Sequence, residues 1–126
     1  MNPITQEWID KAEGDWATAN RENRIRKNPN YDAVCFHAQQ CAEKYLKAYM
    51  QEKGIGYRKI HDLEVLLDDI LPIKPSWSTL RNSLIILTTY AVEYRYPGVV
   101  TTKTEAKDAV KHCKLVREIV RQTFGL

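Results

Sequence analysis

The sequence predicts an all-α fold, an up-and-down bundle of four long helices plus one short helix, in a single domain over residues 1–126. Apolar residues recur at three- and four-residue steps in five segments, as they do along one face of a helix. No segment shows a convincing two-residue alternation, so we predict no strand. The connections between segments are short, which favours antiparallel neighbouring helices.

The first two helices are the longest predicted elements. The first is expected to run from Thr5, as its N-cap, to about Arg24. Asn30 is expected to cap a second helix over 31–53, and Gly54 should stop it because glycine tolerates the left-handed conformation that ends many helices. The apolar stripe predicted for the first helix contains Trp8, Ala12, Trp16 and Ala19.

The remaining three helices follow the same periodicity. A short third helix is predicted over about 62–71 and is closed by Pro72. The fourth is expected over about 76–93, with Ser76 or Ser78 as its cap, and the last over about 103–123. The side chains that we place in the core include Trp8, Trp16, Leu46, Leu66, Leu84, Leu87 and Val116.

Charge and hydropathy exclude several classes of protein. The net charge of +3 is too small to indicate a nucleic-acid binder. No apolar run approaches the roughly 20 residues of a membrane span, and the N-terminus lacks the apolar core of a signal peptide. We therefore expect a cytoplasmic protein. The small basic cluster Arg21, Arg24, Arg26 and Lys27 is interpreted as a solvated face.

Cysteine and histidine spacing gives no indication of a metal or a cofactor. Cys35 and Cys41 are six residues apart, which matches neither a redox pair nor a metal motif, and Cys41 and Cys113 fall on predicted apolar faces. We interpret all three cysteines as reduced packing residues. The three histidines are widely separated, and the chain has no glycine-rich phosphate loop, so we predict no metal site and no cofactor.

Two polar residues interrupt the apolar pattern of the second helix. His37 and Gln40 lie three residues apart beside the predicted buried face, where an ordinary core helix would carry leucine or isoleucine. They could bind a nucleotide base or phosphate, or join a network across a dimer. The alternative is a structural histidine satisfied by a backbone carbonyl or a tyrosine.

Two further segments offer candidate ligands. His61 precedes the short helix and is either a cap-region residue or part of a site. Arg95 and Tyr96 follow the fourth helix on a loop with Pro97 and Gly98. Arg95 could bond the free carbonyls at the end of the helix, or it could present its planar guanidinium to a phosphate.

These segments, in this order and spacing, resemble the HEPN family (higher eukaryotes and prokaryotes nucleotide-binding domains) over nearly the whole chain. The resemblance implies a helical bundle that forms a homodimer and often partners a minimal nucleotidyltransferase in a toxin–antitoxin or defence setting. It also indicates that His37 and Arg95 have a role beyond packing. The matching residues are Trp8, Ala12 and Asp15, the stretch from Phe36 to Lys44 with Leu46 and Lys47, the stretch from His61 to Leu63, and the stretch from Tyr94 to Pro97.

Many members of this family are similar to metal-independent endoribonucleases with an Arg-x(4–6)-His motif, which is not present here. Arg95 is followed by no histidine before His112, and no other arginine has a histidine at that spacing. The sequence therefore favours a binding module for a nucleotide or its phosphates, with His37, Gln40, His61, Arg95 and Tyr96 as candidate ligands. A divergent ribonuclease in which His37 or His61 supplies the imidazole is the first alternative, and a purely structural partner is the second.

The resemblance and the helix positions together predict where the site lies. An imidazole on the buried edge of the second helix needs a polar partner, because an unpaired polar group is costly there. Arg95 ends the fourth helix on a loop that can direct its guanidinium across the bundle. We therefore expect His37 and Arg95 to share one pocket or groove close to the dimer contact.

Overall fold

The computed structural model describes the backbone at residues 1–93 and 96–126 and the side chains at residues 1–91 and 96–126. The described chain forms an all-α, up-and-down bundle with four long helices and one short helix, as predicted. Arg95 lies outside the described residues. The α-helices are α1 (Pro3–Arg24), α2 (Tyr31–Lys53), α3 (Leu63–Ile70), α4 (Arg81–Glu93) and α5 (Lys103–Thr123), and a 3₁₀ helix (Pro75–Leu80) precedes α4.

Helix α2 is the centre of the bundle. It packs against α1, α3, α4 and α5, and more than half of its residues are buried. Leu46 lies in its fully buried stretch, and Leu66, Leu84, Leu87 and Val116 meet it from the other helices. A polar side chain on the buried part of α2 must therefore find its partner inside the bundle or at a narrow edge of it.

The ends of α2 match the prediction, whereas the start of α1 does not. The side chain of Asn30 accepts from the amide of Ala33, and Gly54 ends the helix with a φ of 68°. At α1 the predicted cap Thr5 is wrong. The cap is Asn2, whose side chain accepts from the amide of Ile4 at 2.8 Å, because Pro3 starts the helix three residues earlier than a Thr5 cap would.

The buried face of α1 keeps two residues of the predicted stripe, but the two tryptophans lie at the edge of the core. Ile9 is buried, together with Ala12 and Ala19, whereas Trp8 and Trp16 are only half-buried. Both indole rings pack on the edge of the core, where the indole nitrogen of Trp8 donates to the hydroxyl of Tyr57 at 3.1 Å. A large ring with a polar nitrogen suits this boundary better than the interior.

The predicted fourth helix divides into a 3₁₀ turn and an α-helix. Pro75 occupies the first turn of the 3₁₀ segment, and no side chain caps it, so the predicted caps Ser76 and Ser78 are wrong. The α-helical pattern begins only at Arg81. Asp62 likewise caps α3 rather than opening it, because its carboxylate accepts from the amide of Glu64 at 3.0 Å.

An ion-pair cluster joins α1 to α5 at the edge of the core. The guanidinium of Arg117 donates to both carboxylate oxygens of Glu13, at 2.7 and 2.6 Å, and the hydroxyl of Tyr45 donates to the same carboxylate at 2.6 Å. The hydrogen bonds from Arg117 lower the pKa of Glu13. Burial, followed by the bond to Glu13, raises the pKa of Tyr45. The cluster therefore holds an ionised carboxylate between two helices.

The cysteines are packing residues, as predicted. Cys35, Cys41 and Cys113 are all free and buried, and burial raises the pKa of the Cys35 thiol to about 12. A thiol whose pKa is raised in this way is neutral and unreactive at physiological pH. Within the described part of the chain, no helix has both the length and the apolar character needed to cross a bilayer.

Truncating a core side chain should destabilise the bundle strongly. Leu84→Ala is expected to lower the free energy of unfolding by about 2–5 kcal/mol, because Leu84 is fully buried and its removal leaves a cavity. Leu115, which is 42% exposed on α5, provides the control, and Leu115→Ala should cost less than about 1 kcal/mol. Urea denaturation measures both, and equal losses would contradict the core assignment.

Candidate functional site

A stripe of polar side chains follows α2 through the interior of the bundle. Gln39, Glu43 and Lys47 recur at four-residue intervals, and Gln40 and Lys44 run beside them. Residues at this spacing are neighbours on a helix surface, so the stripe is continuous. It begins at His37 and passes between α1 and the loop before α3.

Glu43 is the hub of this stripe. It is 4% exposed, and its Oε1 accepts from Gln39 Nε2 at 3.1 Å and lies 2.9 Å from His61 Nδ1. Its Oε2 accepts from Lys47 Nζ at 3.1 Å. A carboxylate at this depth is tolerable only because a charge and two further donors satisfy it.

His61 is fixed by this hub and yet faces solvent. Its Nδ1 contacts Glu43, its backbone carbonyl accepts from Gln39 Nε2 at 3.1 Å, and its side chain is 71% exposed. When the neutral ring donates from Nδ1 to the carboxylate, Nε2 becomes the acceptor on the open side. Because Asp62 caps α3, His61 is not the cap of that helix.

His37 belongs to a second network, between α2 and α1. Its Nδ1 lies 2.7 Å from Asp15 Oδ1, and Lys44 Nζ donates to the other oxygen of Asp15 at 2.5 Å. The buried edge of α2 does supply His37 with a polar partner, but that partner is a carboxylate rather than a carbonyl or a tyrosine. Phe36 adjoins the ring edge-on, with the centroids 5.2 Å apart.

Gln40 joins the Glu43 network rather than pairing with His37. Its Nε2 donates to Gln39 Oε1 at 2.8 Å, and Gln39 in turn donates to Glu43. The predicted neighbours His37 and Gln40 therefore lie on one side of α2 but bond to different partners. Tyr96 is exposed on the loop before α5. The predicted contact between His37 and Arg95 lies outside the described residues.

The third histidine links α4 to α5. His112 Nδ1 lies 2.8 Å from Ser83 Oγ, its Nε2 lies 3.4 Å from Asp108 Oδ1, and Tyr90 donates to the other oxygen of Asp108 at 2.8 Å. Burial and then the Asp108 bond raise the pKa of Tyr90 to about 12. Each histidine thus sits in its own network, and the described residues contain no group of ligands that could hold a metal ion.

The sequence analysis did not identify the carboxylates of the two α2 networks, Asp15 and Glu43, as site residues. Asp15 and Glu43 entered only through the family resemblance, although each one holds an imidazole. The detectable signal was the regular spacing of Gln39, Glu43 and Lys47 on a helix otherwise built for burial. The partner of Asp15 was not detectable, because 22 residues separate Asp15 from His37.

The fold and these contacts define a helical-bundle module whose central helix carries imidazole–carboxylate pairs at its edge. The chain belongs to the HEPN family, because the family's sequence model, described as the HEPN domain, matches residues 5–123.

Two solved structures share the fold. The first is TT1696 from Thermus thermophilus, with a TM-score of 0.81 and 23% sequence identity, covering 94% of this chain and 96% of that one. The second is ST0689, an archaeal HEPN homologue, with a TM-score of 0.74 and 24% identity over the same shares of the two chains. No curated protein matches the sequence.

Removing the buried carboxylate should destabilise the bundle. Glu43→Ala leaves the ammonium of Lys47, whose side chain is 8% exposed, without its ion-pair partner, so we expect a loss of about 3–5 kcal/mol in unfolding free energy. Replacing both partners with apolar residues, in Glu43→Leu/Lys47→Met, should recover most of that loss. Urea denaturation of the three proteins tests this. A loss below about 1 kcal/mol for Glu43→Ala would show that the pair is not essential.

Proposed function

We propose that this HEPN domain is a homodimeric module that binds a nucleotide or its phosphates and acts with a minimal nucleotidyltransferase partner. The observation that carries the proposal is the exposed imidazole of His61, held from behind by the buried carboxylate of Glu43. A side chain that is anchored at one nitrogen and open at the other can contact a ligand without first losing conformational freedom.

Other polar groups of α2 carry chemistry that such a ligand needs. His37, Gln40 and Lys44 are half-buried along one side of α2 and carry hydrogen-bond donors, with His37 and Lys44 both held by Asp15. Phe36, next to His37, is 42% exposed and offers an aromatic edge to a base. Arg95 would add a guanidinium suited to bidentate contact with a phosphate, and Tyr96 would add an exposed phenol.

The dimer, the partner and the biological setting rest on the family. HEPN domains are often dimeric, and dimerisation would bring two copies of the α2 stripe into one assembly. The pairing with a nucleotidyltransferase and the toxin–antitoxin or defence setting come from the resemblance on the residues named above. The cytoplasmic location is the expectation drawn from the lack of an apolar run long enough to span a membrane. A nucleotide-binding module is the natural companion of an enzyme that consumes nucleotides.

A divergent metal-independent endoribonuclease is the second candidate, and the same pair supports it. An imidazole oriented by a carboxylate is a competent general base, and Arg95 would supply a cation for the phosphate charge. The missing Arg-x(4–6)-His spacing ranks this candidate below binding. A structural partner without a ligand is the third candidate.

Single substitutions should separate these functions. We expect Arg95→Ala and His61→Ala each to weaken ATP binding by at least about tenfold, because each removes a hydrogen bond to a charged group worth about 1.5–3 kcal/mol. Lys111→Ala, on the exposed surface of α5, is the control and should bind like wild type. Isothermal titration calorimetry measures the affinity, and circular dichroism with a thermal melt checks the fold.

The contrary outcomes differ for each candidate. Unfolding on Arg95→Ala, together with no detectable nucleotide binding by the wild type, would make Arg95 a structural cap and end the binding proposal. Cleavage of an RNA oligonucleotide by wild type in the presence of a chelator, lost in His61→Ala, would instead establish the ribonuclease. Neither binding nor cleavage would leave the structural partner.

The dimer is tested separately. We expect multi-angle light scattering to give twice the chain mass of 14.7 kDa at micromolar concentrations. A monomer mass across that range would contradict the homodimer, and it would not affect the nucleotide result.

A further inference from the structure

A basic groove lies at the end of the bundle where α1 stops and α2 and α5 begin. Its volume is about 710 Å³, and three of its side chains are cations from three different segments: the end of α1, the α1–α2 loop and the start of α5. The lining residues are Asn23, Arg24, Ile25, Arg26, Tyr31 and Lys103. We refer to this site as the basic groove.

The three cations of the basic groove are not neutralised within the protein. Arg24, Arg26 and Lys103 are all exposed, and none of them forms an ion pair with a carboxylate of the described residues. Arg21 and Lys27 add two more exposed positive charges nearby in sequence. Unpaired cations that converge from separate segments give a local positive field.

The carboxylates closest in sequence have other partners. Glu22 accepts from the backbone amide of Asn30 at 2.7 Å, and Asp32 accepts from the hydroxyl of Thr101. Glu105 accepts from the backbone amide of Thr102 at 3.0 Å in the capping box of α5. These bonds keep the acidic side chains at helix ends, and they leave the cations of the groove available to an outside anion.

We propose that the basic groove docks an acidic segment of a partner protein, one in which carboxylates alternate with apolar side chains. Arginine forks suit carboxylates bidentately, and Ile25 and the ring of Tyr31 give apolar side chains a surface between the cations. Ile25 is already 40% exposed, so it has area to bury.

The same residues disfavour a nucleic acid as the occupant. A single-stranded nucleic acid binds along a positive groove with several aromatic rings on which successive bases stack, and Tyr31 is the one aromatic ring in the lining of this groove. Here the cations are interrupted by Ile25 and Tyr31, and Asp32 follows Tyr31 directly. A peptide with spaced charges fits this pattern better. The groove is distinct from the His61 surface, so the docking proposal stands apart from nucleotide binding.

The test uses the full chain and a defined probe, a fluorescein-labelled peptide in which glutamates alternate with leucine and tyrosine. Fluorescence anisotropy should show saturable binding that weakens as salt rises. The variant Arg24→Glu/Arg26→Glu/Lys103→Glu should weaken it by at least about tenfold. The control Lys11→Glu/Lys59→Glu/Lys111→Glu, with the same net charge on other exposed surfaces, should change it by less than about threefold.

A milder variant guards against misfolding, because Arg24→Glu places a negative charge at the C-terminus of α1. Arg24→Gln/Arg26→Gln/Lys103→Gln should also weaken peptide binding while leaving the helical circular dichroism and the ATP affinity unchanged.

Four results would overturn the proposal. The wild type could show no saturable binding of the peptide, or the groove and control variants could lose equal affinity for it. An oligouridylate could bind to the same groove residues more tightly than the peptide. Mutating the groove could change the oligomeric mass, which would mean that a second copy of the chain occupies the basic groove.

Discussion

The burial of Glu43 on the central helix is the constraint on which the candidate site depends. α2 contacts every other α-helix, so its polar side chains have little access to water. A carboxylate at that depth must be paired and fully hydrogen-bonded, because an unpaired charge there costs several kcal/mol. Lys47 supplies the charge, and Gln39 and His61 supply the remaining contacts. The buried carboxylate of Glu43 therefore fixes the position of the loop before α3 and the orientation of the His61 imidazole.

The second network repeats this solution between α2 and α1. Asp15 is buried on α1 and takes His37 and Lys44 as partners, again leaving a histidine at the edge of the bundle. The two networks share α2 but no side chain, so each can be altered without removing the partners of the other. In both networks the carboxylate can hold the imidazole while the imidazole binds a ligand, because the carboxylate contacts Nδ1 and a ligand would contact Nε2.

Much of the fold was predictable because helical periodicity is a local signal. The bounds of α2 followed from Asn30 and Gly54, and the deepest core side chains, such as Leu84, followed from the apolar stripes. The errors occurred where side-chain size or proline overrode the pattern. On α1 the large rings of Trp8 and Trp16 lie at the edge of the core, whereas Ile9 is buried.

The candidate site was predictable only in part. His37, Gln40 and His61 were visible as polar residues at unusual positions, and all three take part in the α2 networks. The carboxylates that hold the two histidines were not visible, because His37 is 22 residues from Asp15 and His61 is 18 residues from Glu43. Only the packing of α2 against α1 and against the loop before α3 brings these groups together. Pairings of this kind depend on tertiary structure, which local periodicity does not encode.

The tautomer of His61 tests the central claim most directly. Long-range ¹H–¹⁵N correlation spectra distinguish the two neutral forms of an imidazole, and they should be recorded above the ordinary titration range of histidine, at about pH 8. If Glu43 holds the ring, His61 is expected as the Nδ1–H tautomer with an unprotonated Nε2, and Glu43→Gln should change that signal. An Nε2–H tautomer, or a mixture unaffected by Glu43→Gln, would show that the buried carboxylate does not orient the imidazole.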